Sequence, residues 1–185
     1  MQRPRSSTTG LSGAAIALLG FVAACSAPQY DDQTDKLISQ LQTDVDTQIV
    51  ALITLDHKIA LLTRQTDAAA RTSLTDATTK AGYDASTGFY DKIDVDLTTL
   101  QTRVDAEPTP ATPAMDRSIK DLHDNLLDAP GSLQVTHQAV EVLSEGYLRS
   151  VRTLIDTQIG ALLTRELGLK NGSPTVGAAA PATSK

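Results

Sequence analysis

From Ile38 the apolar residues fall at alternating steps of three and four: Ile38, Leu41, Val45, Leu52, Leu55, Ile59 and Leu62, with Gln48 in the one missing place. That stepping keeps one face of a 3.6-residue helix apolar and predicts an amphipathic helix of seven turns or more, with Asp31 and Asp32 available as caps. From Thr63 to Lys80 the stripe thins to alanines and Leu74, which fits either a continued helix or a frayed one. Ala81-Gly82 interrupts it. Tyr83, Tyr90, Ile93, Leu97, Leu100 and Val104 then resume the stepping, and Pro108, Pro110 and Pro113 close the segment near Ala106. Thr112 before Pro113 reads as a cap followed by a first-turn proline, starting a third helix with Met115, Ile119, Leu122 and Leu126 on its inner face. Pro130-Gly131 ends it and Ser132 caps the fourth. Val140, Leu143, Tyr147, Val151, Leu154, Ile155, Ile159 and Leu162 carry that helix to Leu167, where Gly168 is placed to close it.

No segment alternates with period two over a useful length. The pattern predicts an all-α fold, an elongated antiparallel helical bundle of about four helices over residues 31–168. Residues 169–185, small and unpatterned with a proline, read as a disordered tail.

Two nonapeptides, "DTQIVALIT" at 46–54 and "DTQIGALLT" at 156–164, agree at seven of nine positions. "ALLTR" also occurs twice, at 60–64 and 161–165. The two matches need chain offsets of 110 and 101 residues. A nine-residue difference rotates a helix by roughly 900°, which puts the two faces on opposite sides. Reuse of a small helical vocabulary is the reading taken, ahead of a remnant duplication and of a functional motif. Gln48 and Gln158 are expected at corresponding helix edges.

The N-terminus adds an address. Arg3 and Arg5 precede the uncharged run Leu11–Ala24, whose fourteen residues would span only about 21 Å as a helix, too short for an ordinary crossing. A basic start, a short apolar centre and small residues before a cut site read as a secretory signal over residues 1–24. "VAAC" at 22–25 resembles the bacterial lipobox, and Cys25 is the only cysteine in the chain. The resemblance implies lipidation of Cys25, an anchor segment over 25–30, and a domain held to the membrane by its acyl chains. Ser26 stands where that class carries an inner-membrane retention aspartate, which points to the outer membrane with the domain facing the periplasm.

Beyond the signal, 14 Lys and Arg face 22 Asp and Glu, about −8 in all. Such a balance repels phosphates, so no nucleic-acid partner is expected. Tyr83, Tyr90 and Tyr147 are the candidates for a ligand pocket, since Tyr83 and Tyr90 share a face and Tyr147 lies on the fourth helix. His57, His123 and His137 are weak candidates for metal ligands, but they show neither the His-x-x-x-His nor the Glu-x-x-His spacing that helical sites use. The expectation is therefore no metal and no cofactor. Asp91, Asp94 and Asp96 lack the glycine and distal glutamate of a calcium loop and read as a solvated face. Asn171-Gly172-Ser173 fits a glycosylation sequon, but in a bacterial-looking tail it is set aside.

The chain contains no nucleophile elbow, phosphate-binding glycine loop or dinucleotide fingerprint, and it is not expected to be an enzyme. The stretches "YDDQTDKLISQLQTDVDTQIVAL", "GYDASTGFYDKIDVDLTTLQTRVDA" and "LIDTQIGALLTRELGLKNG" resemble a group of small helical lipoproteins and exported proteins of proteobacteria. That group has no assigned activity, so the resemblance implies an address and a helical fold and no site residue. The expected function is a non-catalytic interaction or scaffold module of the envelope, with a protein partner or self-association. A ligand- or metal-binding sensor is the alternative.

Overall fold

The computed structural model describes residues 31–106 and 113–170. Among them every regular element is helical: α1 (Asp32–Leu62), α2 (Ala68–Ala81), a 3-10 turn (Tyr83–Ser86), α3 (Thr87–Ala106), α4 (Pro113–His123), a π turn (Asp124–Asp128), α5 (Leu133–Ala139) and α6 (Glu145–Lys170). The all-α bundle expected from the periodicity is the fold observed. No helix among the described residues is long and apolar enough to cross a membrane. The signal segment, Cys25, the anchor, Thr112 and the tail from Asn171 lie outside the described residues.

Polar pairs set the topology. Descending α3, Ser86 meets Gln48, Lys92 meets Asp44 and Arg103 meets Asp31, so α3 runs antiparallel to the lower half of α1. Up α4, Gln101 reaches Asp116 and Asp94 reaches His123, reversing direction again. Along α6, the Glu145 N–H meets Asp56 and Arg152 meets Asp46, antiparallel to α1. The lower half is a four-helix arrangement of α1, α3, α4 and α6, and α2 covers the upper part of α1. At about 1.5 Å per residue the 31-residue α1 is ~46 Å long, which makes the bundle elongated.

Several details depart from the periodic reading. Asp67 caps α2 by accepting from the Ala70 N–H, so residues 63–80 neither continue α1 nor fray. They turn and return as α2, burying Ala70, Ala77 and Ala81. Ile49, not Gln48, occupies the buried place in the α1 stripe. Leu55, Ile59 and Leu62 are half-exposed, because α6 starts level with Asp56 and only α2 flanks α1 above it.

The predicted fourth helix is two. Ser132 caps α5 as expected, accepting from the Val135 N–H. The chain then leaves helical geometry at Val140 (φ −129°, ψ 144°) and restarts at Glu145. Asp56 and Ser144 receive the Glu145 and Tyr147 N–H groups that the new helix start leaves open. The expected stripe holds at Leu143, Val151, Ile155, Ile159 and Leu162, and the break displaces only Val140, Tyr147 and Leu154 from it. Leu148, Val151, Ile155, Ile159 and Leu162 are buried, while Val140 and Leu154 are 42% and 44% exposed. Gly168 does not close the helix, since α6 continues to Lys170. The π turn also brings adjacent Leu126 and Leu127 inward together, which 3.6-residue stepping cannot do.

In the repeat, Ile49 and Leu52 match Ile159 and Leu162, all buried. Both leading aspartates approach Arg152, Asp46 at 2.9 Å and Asp156 at 4.0 Å. Gln48 and Gln158 are half-buried at corresponding edges, and Gln48 donates to the Ser86 hydroxyl. What recurs is a helix-packing unit.

Candidate functional site

The richest polar cluster lies where α2, the 3-10 turn, α3 and α5 meet. His137 is fully buried, with Nε2 2.8 Å from the Ala81 carbonyl and Nδ1 2.9 Å from the Tyr90 hydroxyl. A carbonyl only accepts, so Nε2 carries the proton; Nδ1 is then the acceptor and Tyr90 donates to it. Burial pushes His137 below the usual histidine range, against the opposing hydrogen bond to Ala81. Burial likewise raises the Tyr90 phenol well above its ordinary value, with lesser contributions from Tyr147 and Tyr83 nearby. The neutral Tyr90–His137–carbonyl chain is therefore the form that the surroundings favour.

Tyr83 stacks on Tyr90 with ring centres 5.5 Å apart, and its hydroxyl accepts from Gln134 at 3.0 Å. Phe89 meets Tyr90 edge-on at 5.1 Å. Tyr147 approaches from α6, but its hydroxyl is engaged elsewhere, donating to the carbonyls of Ser132 (2.8 Å) and Gly131 (3.0 Å). It fastens the start of α5, where Gly131 takes a φ of 86° that favours glycine.

Of the three tyrosines expected to form a pocket, Tyr83 alone lines the cavity found here. This open cavity of about 350 Å³ lies between the end of α2 and the end of α5, with Thr78, Gly82, Tyr83, Asp84, His137 and Glu141 among its lining residues. Tyr90 is buried behind it and Tyr147 serves the α5 turn. Sequence reading singled out neither Gln134, which donates to the Tyr83 hydroxyl, nor Asp84 and Glu141 in the cavity lining, and Glu141 reaches the cavity only because the fourth helix breaks after Ala139. Ser144 directly before Glu145 was the available signal, a helix start inside an apolar run.

The three histidines are not brought together. His57 is exposed and 2.7 Å from Glu145 at the top of the α1–α6 seam. His123 lies between Asp94 and Asp128 on the α3–α4 side. His137 is held inside by Tyr90 and Ala81. No group of three metal-binding side chains occurs among the described residues. Asp91 is exposed, and Asp94 and Asp96 pair with His123 and Lys92.

No protein-family model, curated protein or solved structure matches the chain.

Proposed function

We propose that this protein is a lipid-anchored, non-catalytic interaction module of the bacterial envelope, held by Cys25 to the outer membrane with its bundle facing the periplasm. The observation that supports docking is a second stripe on α1, opposite its core face. Thr43, Thr47, Val50, Thr54 and Leu61 are all exposed, recur at steps of four, three, four and seven, and include no charged side chain; His57, at the edge of this stripe, is bonded to Glu145 of α6. Thr43 and Thr54 donate back to the carbonyls of Ser39 and Val50, which leaves their methyl groups outward. Val50 and Leu61 are 46% and 61% exposed. This is the spacing with which one helix receives another, so the partner is a helix of a second envelope protein.

Crosslinking of the intact protein in membranes tests the reading. Val50→Glu with Leu61→Glu should remove the crosslinked product while leaving the unfolding midpoint nearly unchanged, since both positions are exposed. An unaltered product would overturn the assignment of the face, and a product of twice the chain mass would replace the second protein by self-association.

A second reading, a ligand-binding module, has its own support in the cavity beside Tyr83. It is tested by a rise in thermal stability with added ligand, because binding to the folded state alone shifts unfolding by mass action.

A further inference from the structure

The cavity at the ends of α2 and α5 is lined in a way that selects charge. We infer that it is a binding site for a small organic molecule carrying a primary ammonium group, an inference that rests on the ligand-binding reading above.

Three backbone oxygens of lining residues converge around Gly82, itself part of the lining. A Cβ built on Gly82 would lie 3.5 Å from the Thr79 carbonyl, 3.6 Å from that of Thr78 and 3.9 Å from that of Glu141. Thr78 and Thr79 belong to the last turn of α2, where the helix dipole is negative; the Thr79 carbonyl accepts from the Gly82 N–H at 3.3 Å and keeps a second lone pair. Asp84 and Glu141 stand exposed at the rim, and among the described residues neither enters an ion pair. No lysine or arginine lines the cavity. Lys80, close in sequence, is bonded to Asp76 on the outer face of α2.

The walls fit the rest of such a molecule. Tyr83 offers an aromatic ring fixed by its stack on Tyr90 and by Gln134, and Ala139 and Val140 supply apolar surface. A ring face beside carboxylates attracts an ammonium group. Both His137 nitrogens are engaged within the protein, so the imidazole acts as wall and brings no positive charge. These carbonyls favour a primary ammonium over a quaternary one, because only the former donates N–H hydrogen bonds. A volume of about 350 Å³ holds a chain of a few carbons.

The test is a titration of the isotopically labelled protein, followed by amide resonances, with 1,4-diaminobutane, n-butanol and butyrate as probes at low salt. Saturable shifts at Gly82, Tyr83 and Glu141 are expected with the diamine, weaker ones with butanol and none with butyrate. Asp84→Asn and Glu141→Gln should each weaken diamine binding by about threefold and together by about tenfold, the scale of exposed charge pairs. Both positions are exposed, so resonances elsewhere should stay in place. Gly82→Ala should also weaken binding, since its methyl covers the three oxygens at ordinary contact distance and a φ of −75° suits alanine. Equal diamine affinity in the double variant would overturn the inference. Butanol binding as tightly as the diamine would also overturn it while leaving a ligand pocket standing; no binding of any probe would remove both.

Discussion

His137 shows how far one buried residue can tie local chemistry to stability. It holds the Ala81 carbonyl of α2 and the Tyr90 hydroxyl of α3 from a position on α5, so three elements meet through one imidazole. His137→Ala should cost about 2–4 kcal/mol in urea unfolding, from a cavity and two polar groups left without their bonds. The same geometry sets a pH dependence. The folded-state pKa of His137 lies below its unfolded value near 6.5, so the unfolded chain binds the proton more readily. Stability is then full above the unfolded pKa and falls as pH drops from there towards the folded pKa, by at most about 1.4 kcal/mol per pH unit. Protonation would also make Nδ1 a donor facing a donor, forcing the Tyr90 proton to another acceptor. His137→Gln, which does not titrate, should flatten the unfolding midpoint between pH 6.5 and 5. An equal slope in both proteins would rule out His137 as its source.

At the scale of elements, breaks decided what the periodicity could and could not reveal. Ile38, Leu41, Val45 and Leu52 were legible because α1 keeps one register throughout and a buried stripe needs only regular spacing. Leu148 could be read only through the repeat, whose 110-residue offset sets it opposite Ile38; the stepping from Val140 passes it over, because the chain is extended at Val140 and the restart is stabilised by Asp56 on another helix. The observed stripe has a direct consequence. Leu148→Ala, a fully buried truncation, should cost about 2–5 kcal/mol, while Leu154→Ala should stay within about 0.5 kcal/mol, as urea unfolding can read. The expected stripe, which included Leu154 beside Ile155, predicts a large loss at Leu154 too. The candidate pocket shared this fate: its aromatic wall at Tyr83 could be read from the chain, but the carboxylates at its rim depend on where α5 stops. Asp31 is a case where sequence reading found the cap and missed its partner. It accepts from the Gln33 N–H and the Thr34 hydroxyl, and from Arg103 at the end of α3. Partial burial pushes its carboxyl up, but these hydrogen bonds outweigh it and hold the group below the usual range. Asp31→Ala should cost about 1–2 kcal/mol, for a lost cap and a partly exposed ion pair. With a folded-state pKa below the unfolded one, that contribution is present above the unfolded value and is lost as pH falls through the folded one, which acid unfolding of the wild type against the variant would read.

For the whole molecule, the antiparallel register places the start of α1 and the end of α6 at one pole. Glu145 is level with Asp56 and Arg152 with Asp46, so the last turns of α6 lie beside the first turns of α1. Cys25 precedes Asp31 by six residues, so an anchor there would hold this pole near the membrane. The turn after Leu62 would then project some 46 Å outwards at about 1.5 Å per residue of α1, and the Val50–Leu61 stripe would lie towards that far end. Two measurements with opposite expectations follow. Cys25→Ala should move the protein from the membrane fraction to the soluble one, because the proposed lipid supplies its only membrane affinity. It should leave the unfolding midpoint of the bundle unchanged, since the core from Thr34 to Glu166 is built from residues beyond the anchor. Retention of the variant at the membrane would mean that a bundle surface binds lipid or a resident protein directly. Partner crosslinking through Val50 and Leu61 should also weaken in the released variant, because anchoring confines both molecules to one surface and raises their effective concentration. Undiminished crosslinking after release would make the docking face self-sufficient and the lipid only an address.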